Sequence, residues 1–375
     1  EQEAAMEFID GPVWADLKFN WSHAHSTPKL MKVHGGKLFG AYFSPVPTDY
    51  KIIWTARNED FFCLRWGVPD FVRKHVTTNA HDYVGGYMIG SETYIPAKDY
   101  FTKSGVKVNW KYAFERQWLF YKTWGRLLYN PATPNEIFQA EFTRRYGKDA
   151  SVLFKASSLA GNTPLRLASS FDFTWDFSLY SEGFMALNRE AKRVEYINVD
   201  WQIRQPPIDP DYVSVLDYVN TTTSGGTFDK NKITPPVLIS LLESDCNEAL
   251  NLVKNFKASN NPSLQQEVAD IRIWANLGLY FAEKLKGAVA LQTYRTKGGE
   301  ENKQSAVKHL ENALRYWDVV VNITKPLYNE MPLVHFSEQD GQHWKENDHL
   351  RFHWEHLRPE VAKDVEIAKN AVNSK

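Results

Sequence analysis

Lys51-Ile52-Ile53-Trp54-Thr55-Ala56-Arg57 is a β-branched and aromatic run that stops at the polar cluster Asn58-Glu59-Asp60. It is followed by Pro69-Asp70-Phe71-Val72-Arg73-Lys74-His75-Val76, helical in pattern. Then comes a further strand candidate, Tyr83-Val84-Gly85-Gly86-Tyr87-Met88-Ile89-Gly90, which exits into Ser91-Glu92-Thr93-Tyr94. Upstream, Val13 to Asn20 alternates apolar and polar residues, the period of a half-buried strand, and leads into Trp21-Ser22-His23. Strand, helix, strand with polar groups collected where each strand stops is the pattern of a (β/α) barrel or a doubly wound sheet. A complete eight-stranded barrel takes about 250 residues, yet this chain turns helical near Trp110. Residues 1–150 therefore read as a (β/α)8-type barrel of which only the C-terminal half is present.

Residues 151–375 read as a mainly helical second domain, so the fold class is α/β plus all-α. Asn109 to Tyr129 is aromatic on one side, and Asn135 to Tyr146 follows with Thr133 as its expected N-cap. An irregular insert near 196–236 carries the loop chemistry of Gln205-Pro206-Pro207 and Ser224-Gly225-Gly226. Beyond it, Leu264, Val268, Ile271, Ala275, Ala282 and Leu285 recur largely at helical spacing, and further helices are expected over Gln304–Val321 and Asp348–Val372.

The chain has 375 residues, long enough for a substantial core. Its net charge is -1, from 44 Lys+Arg against 45 Asp+Glu, which disfavours a nucleic-acid partner. No apolar run approaches the roughly 20 residues of a membrane helix. The aromatic share is high at 14%, with 13 Trp. Such rings stack on sugar faces or simply fill a core, and composition leaves both open. Cys63 and Cys246 are far apart with no Cys/His metal spacing, so neither a disulfide framework nor a zinc site is expected. The chain opens at Glu1 without methionine, as a mature secreted form or a piece of something longer would.

Glycoside hydrolysis needs two carboxyl groups, and carboxylates at consecutive barrel strand ends share a pocket. Asp60 and Glu92 are the catalytic candidates, each also readable as a loop-capping acid. Asn20, Trp21, His23, Arg57, Asn58, Arg65 and Tyr94 are the candidate substrate contacts. His23 and His25 stand two apart without helical metal spacing, so they read as donors to sugar hydroxyls, and no metal or cofactor is assigned. Arg65 beside Trp66 suits either a clamp on a sugar carboxylate or a structural stack. Trp118, Tyr121, Trp124 and Arg126 read as a sugar groove or, more simply, as core. The late cluster His335, His343, Trp344, His353, Trp354 and His356 reads as packing and surface.

Arg57-Asn58-Glu59-Asp60-Phe61, with Glu92 at the next strand end, resembles the catalytic stretch of the microbial α-glucuronidases, barrel enzymes with a mainly helical C-terminal domain. Lys18-Phe19-Asn20-Trp21-Ser22-His23, Arg65-Trp66-Gly67 and Trp124 to Pro131 further resemble bacterial polysaccharide-degrading glycosidase-like proteins. The resemblance spans residues 12–150. It implies that Asp60 and Glu92 activate water in an inverting reaction, although the Asn58-to-Asp60 spacing is tighter than the family pattern. It places the general acid on an earlier strand.

The expectation is a glycoside hydrolase, or the C-terminal part of one, cutting a plant or algal cell-wall polysaccharide at a chain end, with uronic acid as a suitable component. The partner is an oligo- or polysaccharide, with no nucleic acid and no membrane. The missing strands would come from a preceding part of the same protein or from a homo-oligomer. The family points to a periplasmic or extracellular location. The alternative is a non-catalytic glycan-binding protein with exposed aromatic platforms.

Overall fold

The computed structural model describes residues 4, 6–19, 27–30, 45–57, 64–90, 98–99, 101–172, 179–188, 193–256, 261–332, 337–339, 343–345 and 351–373. Strands β1 (Trp14–Phe19), β2 (Lys51–Arg57) and β3 (Val84–Gly90) form a parallel sheet in that order. Parallel neighbours need a crossover, and between β2 and β3 it contains helix α1 (Pro69–Asn79), which begins on a proline whose missing N–H costs nothing in a first turn. Leu30, Tyr50, Ile52 and Trp54 make a small core for this unit. Asn79 closes it: its amide accepts from the Leu30 N–H at 3.2 Å and donates to the Pro28 carbonyl at 2.7 Å. Gly85 is required on β3 because a Cβ there would overlap the Trp14 indole.

Helices α2 (Ala113–Arg116), α3 (Trp118–Tyr129), α4 (Asn135–Tyr146), α5 (Val152–Ala160) and α6 (Asn162–Ser169) follow. Thr133 does not cap α4. Pro134 holds that position, and the Thr133 hydroxyl turns back to the Asn130 carbonyl. A small antiparallel sheet, β4 (Leu179–Tyr180), β5 (Met185–Asn188) and β6 (Arg193–Tyr196), comes next. The stretch 196–236, expected to be irregular, holds two short helices, α7 (Val199–Arg204) and α8 (Val215–Thr223). The side chains of Asn198 and Ser214 accept hydrogen bonds from N–H groups of their first turns, so caps compensate for the proline-rich connections.

Three longer helices, α9 (Pro235–Val253), α10 (Pro262–Lys297) and α11 (Glu300–Thr324), form the body, and α12 (Trp354–Lys369) packs on α11. Short pairs β7 (Met331–Pro332) with β10 (Arg351–Phe352), and β8 (Ser337–Gln339) with β9 (His343–Lys345), lie between α11 and α12. The last helix starts at Trp354, later than the expected residue 348. At about 1.5 Å per residue, the 36 residues of α10 reach about 54 Å. This helix is buried on nearly all sides from Ser263 to Leu291. A helix enclosed on every side needs no single apolar stripe, which is why its periodicity reads only partly in sequence. Close approach is set by glycine: a Cβ at Gly278 would overlap Cys246 of α9, and one at Gly287 would press on Leu310 of α11. The larger core runs from Leu64 to Ala371 and so crosses residue 150, where a domain boundary was expected, and Ile89 of β3 packs against both cores.

Candidate active site

The register pairs Phe19 with Ala56, Ala56 with Ile89, and Arg57 with Gly90. The three parallel strands end in step at one edge of the sheet, and each is followed in sequence by a polar segment. Those segments carry Asn20, Trp21 and His23 after β1, Asn58 and Asp60 after β2, and Glu92 and Tyr94 after β3. These residues lie outside the described ones, as does the side chain of Arg57, whose backbone ends β2.

Where the chain re-enters after β2 it is held by side chains from the helical body. The Leu64 N–H donates to Glu182 Oε1 at 2.8 Å, and the Arg65 N–H to Asp270 Oδ2 at 3.1 Å. The Trp274 indole donates to the Arg65 carbonyl at 3.1 Å, and the Gln117 amide to the Leu64 carbonyl at 2.9 Å. Arg65 itself is enclosed, its side chain only 2% exposed. Its guanidinium meets Asp270 Oδ2 at 2.7 Å and Glu267 Oε2 at 3.4 Å, with Trp110 stacked 4.6 Å away. Glu267 also accepts from the Tyr146 hydroxyl at 2.8 Å and the Trp118 indole at 3.3 Å, and the Tyr328 hydroxyl donates to Asp270. The guanidinium read as a clamp for a sugar carboxylate thus holds two carboxylates of its own chain.

The electrostatics follow from burial. Burial pushes the Glu267 and Asp270 carboxyls above their ordinary range against the pull of Arg65. Burial opposes the charge on Arg65 too, but Asp270 and Glu267 outweigh it and hold the guanidinium above its usual value. The segment after β3 is tied down similarly. Asp99 accepts from the Trp110 indole at 2.6 Å, the Thr102 hydroxyl at 2.7 Å and the Phe101 N–H at 3.1 Å, with Arg116 at 3.6 Å. Burial raises the Asp99 carboxyl, yet Arg116 and these hydrogen bonds bring it below the ordinary range.

Sequence reasoning missed Glu182, Glu267 and Asp270. The available signal was two acids three apart, Glu267 and Asp270, on one face of α10 just before the apolar-rich run from Ile271 to Ala282. A second buried network was missed as well: Lys284 meets Asp364, whose other donors are the Tyr196 hydroxyl at 2.8 Å and the Val199 N–H at 2.7 Å. Most of the described tryptophans fill the core, with Trp54, Trp66, Trp118, Trp124, Trp274, Trp317 and Trp354 buried, while Trp14 is 50% exposed. Of the aromatic groove candidates, Trp118 and Trp124 are therefore core. Among the described residues no cluster of three His, Cys, Asp or Glu side chains could hold a metal, and no helix is long and apolar enough to cross a membrane.

No known family model matches the sequence, and no curated protein matches it. Among solved structures, the fold is similar to that of a GH138 enzyme targeting pectin rhamnogalacturonan II. The identity is 15% and the TM-score 0.73, with 98% of this chain and 44% of that one covered. The likeness is one of fold, α/β with a large helical part. The chain spans less than half the length of the enzyme it resembles.

Proposed function

We propose that this chain is part of a glycoside hydrolase acting on a plant or algal cell-wall polysaccharide that contains uronic acid. The observation that carries the reading is the fold likeness across almost the whole chain to a hydrolase of pectic polysaccharide, 0.73 by TM-score. Its active-site edge is the one where β1, β2 and β3 end in step. Asp60 and Glu92 are the carboxylates that activate water, and the general acid comes from an earlier strand. Asn20, Trp21, His23, Arg57, Asn58 and Tyr94 contact sugar hydroxyls and ring faces. Arg65 acts one layer beneath, anchoring the β2 segment to α10. The three parallel strands are the C-terminal half of a (β/α)8 barrel, completed by preceding chain or by a partner copy. The enzyme works from a chain end, in the periplasm or outside the cell.

The test is release of reducing ends from pectic, other uronate-containing and neutral polysaccharides by the full-length protein that carries the completing strands, as wild type, Asp60→Asn and Glu92→Gln. A general base supplies about 10²–10⁴-fold, so each variant is expected to lose release by that order while its circular dichroism stays unchanged. Undiminished release in both variants would remove these carboxylates from the reaction. Glycan affinity with no release in any protein would select the non-catalytic glycan-binding reading instead.

A further inference from the structure

Outside the sheet lies a cleft of about 450 Å³ between α1, α6, the turn at 209–212 and the segment 27–29. Its size falls within the roughly 300–1,000 Å³ of small-ligand sites. Phe71, Lys74 and Thr78 line it from one face of α1, spaced three and four apart, and Asn162, Leu165, Arg166 and Ser169 line it from α6.

The walls are braced from behind. Asn79 holds Pro28 and Leu30, the Asp209 N–H donates to the Ser169 carbonyl at 3.2 Å, and the Ile233 N–H donates to the Asp211 carbonyl at 2.7 Å. Arg166 is neutralised by Asp245 at 2.6 Å. The exposed Lys29 and Lys74 ammonium groups make no hydrogen bond or ion pair among the described residues, although Lys74 acts on Asp209 at a distance. Asp209 is half-buried and receives the Asp211 N–H at 3.0 Å, and burial raises its carboxyl above the ordinary range. Phe71, Tyr212 and Ile233 supply apolar surface.

Two uncommitted cations, two carboxylates and flanking rings make a mixed lining. A phosphate would offer no apolar face to Phe71 and Tyr212, and a neutral sugar would leave the ammonium groups unused. A hexuronate uses all three: one carboxylate for the lysines, hydroxyl donors for the aspartates, and an apolar ring face for the aromatics. We propose that this cleft binds a uronate residue, with its carboxylate between Lys29 and Lys74, its hydroxyls on Asp209 and Asp211, and its ring against Phe71 and Tyr212. The assignment rests on the glycan reading above and adds to it a second sugar site, separate from the bond-cleaving edge. Its Lys29 end is fastened at Asn79, where α1 gives way to the start of β3, the edge opposite the strand exits.

The experiment titrates glucuronate and galacturonate, with glucose and galactose as neutral controls, into the wild type, Lys29→Ala/Lys74→Ala and Lys74→Arg. Binding is read by calorimetry and ligand-observed NMR. Uronates are expected to bind the wild type, the double variant at least tenfold more weakly, and Lys74→Arg within about threefold of wild type, with charge-assisted contacts setting that scale. Neutral sugars are expected at least tenfold weaker than uronates. No uronate binding to the wild type, or unchanged binding to the folded double variant, would overturn the assignment. Uronate binding with this pattern but no polysaccharide cleavage by the full-length protein that carries the completing strands would leave the cleft standing and remove the hydrolase reading. Cleavage without cleft binding would do the reverse.

Discussion

Asp270 is the residue on which separate parts of the chain meet: it holds the Arg65 side chain and backbone N–H and accepts the Tyr328 hydroxyl. Removing one member of a buried pair leaves the other charged and dry, at a cost of about 3–5 kcal/mol. Asp270→Ala is expected to lower the unfolding free energy by that amount in a urea titration, and a loss below about 1 kcal/mol would mean that water reaches Arg65. A double change to matched apolar residues, Arg65→Met with Asp270→Leu, is expected to lose less than the single one, because no charge is then stranded. At this scale the sequence marked Arg65 as unusual, and Arg65-Trp66 allowed both a ligand clamp and a structural stack. Its carboxylate partners come from more than 200 positions further along the chain, a separation that no local pattern encodes.

Among the elements, α12 carries a pH-sensitive start. His353 is its N-cap, with Nδ1 accepting from the Glu355 N–H at 3.1 Å. Burial, with nearby His356 and Lys103 and against the pull of Glu355, lowers its pKa from 6.5 to about 4. Between those values the unfolded chain binds a proton that the folded chain refuses, so stability falls as pH drops from 6.5 to 4. Asn keeps a capping acceptor but does not titrate. His353→Asn is therefore expected to show a smaller loss of Tm than wild type across that window in calorimetry, and parallel curves would exonerate the histidine. The elements themselves were largely legible. The alternating run Val13–Asn20, the β-branched run Lys51–Arg57 and the strand candidate Tyr83–Gly90 became β1, β2 and β3, and the expected helices at 135–146 and 304–321 fall on α4 and within α11. The late start of α12 and the helices inside 196–236 were not, because caps and packing against α10 outweigh local loop propensity there.

For the whole molecule, two cores of unequal size predict unequal local stability. The small core of Leu30, Tyr50, Ile52 and Trp54 supports the parallel sheet, whereas the helical body is enclosed around α10. Amides of β1–β3 are expected to exchange with deuterium well before those of α10 and α11, read by mass spectrometry on peptic fragments. Equal protection would instead make the chain one cooperative unit joined through Ile89. The sequence by itself determined the strand character of three short runs, the helical character of the C-terminal part, and the placement of polar groups just past consecutive strand ends, since these depend on neighbours within a few residues. Only the tertiary structure decided that three strand ends stop in step, that most of the described tryptophans are core, that Arg65 answers to Glu267 and Asp270, and that two uncommitted lysines face two aspartates across a cleft. Those outcomes depend on which distant surfaces exclude water together, a property of the assembled chain and not of any local stretch.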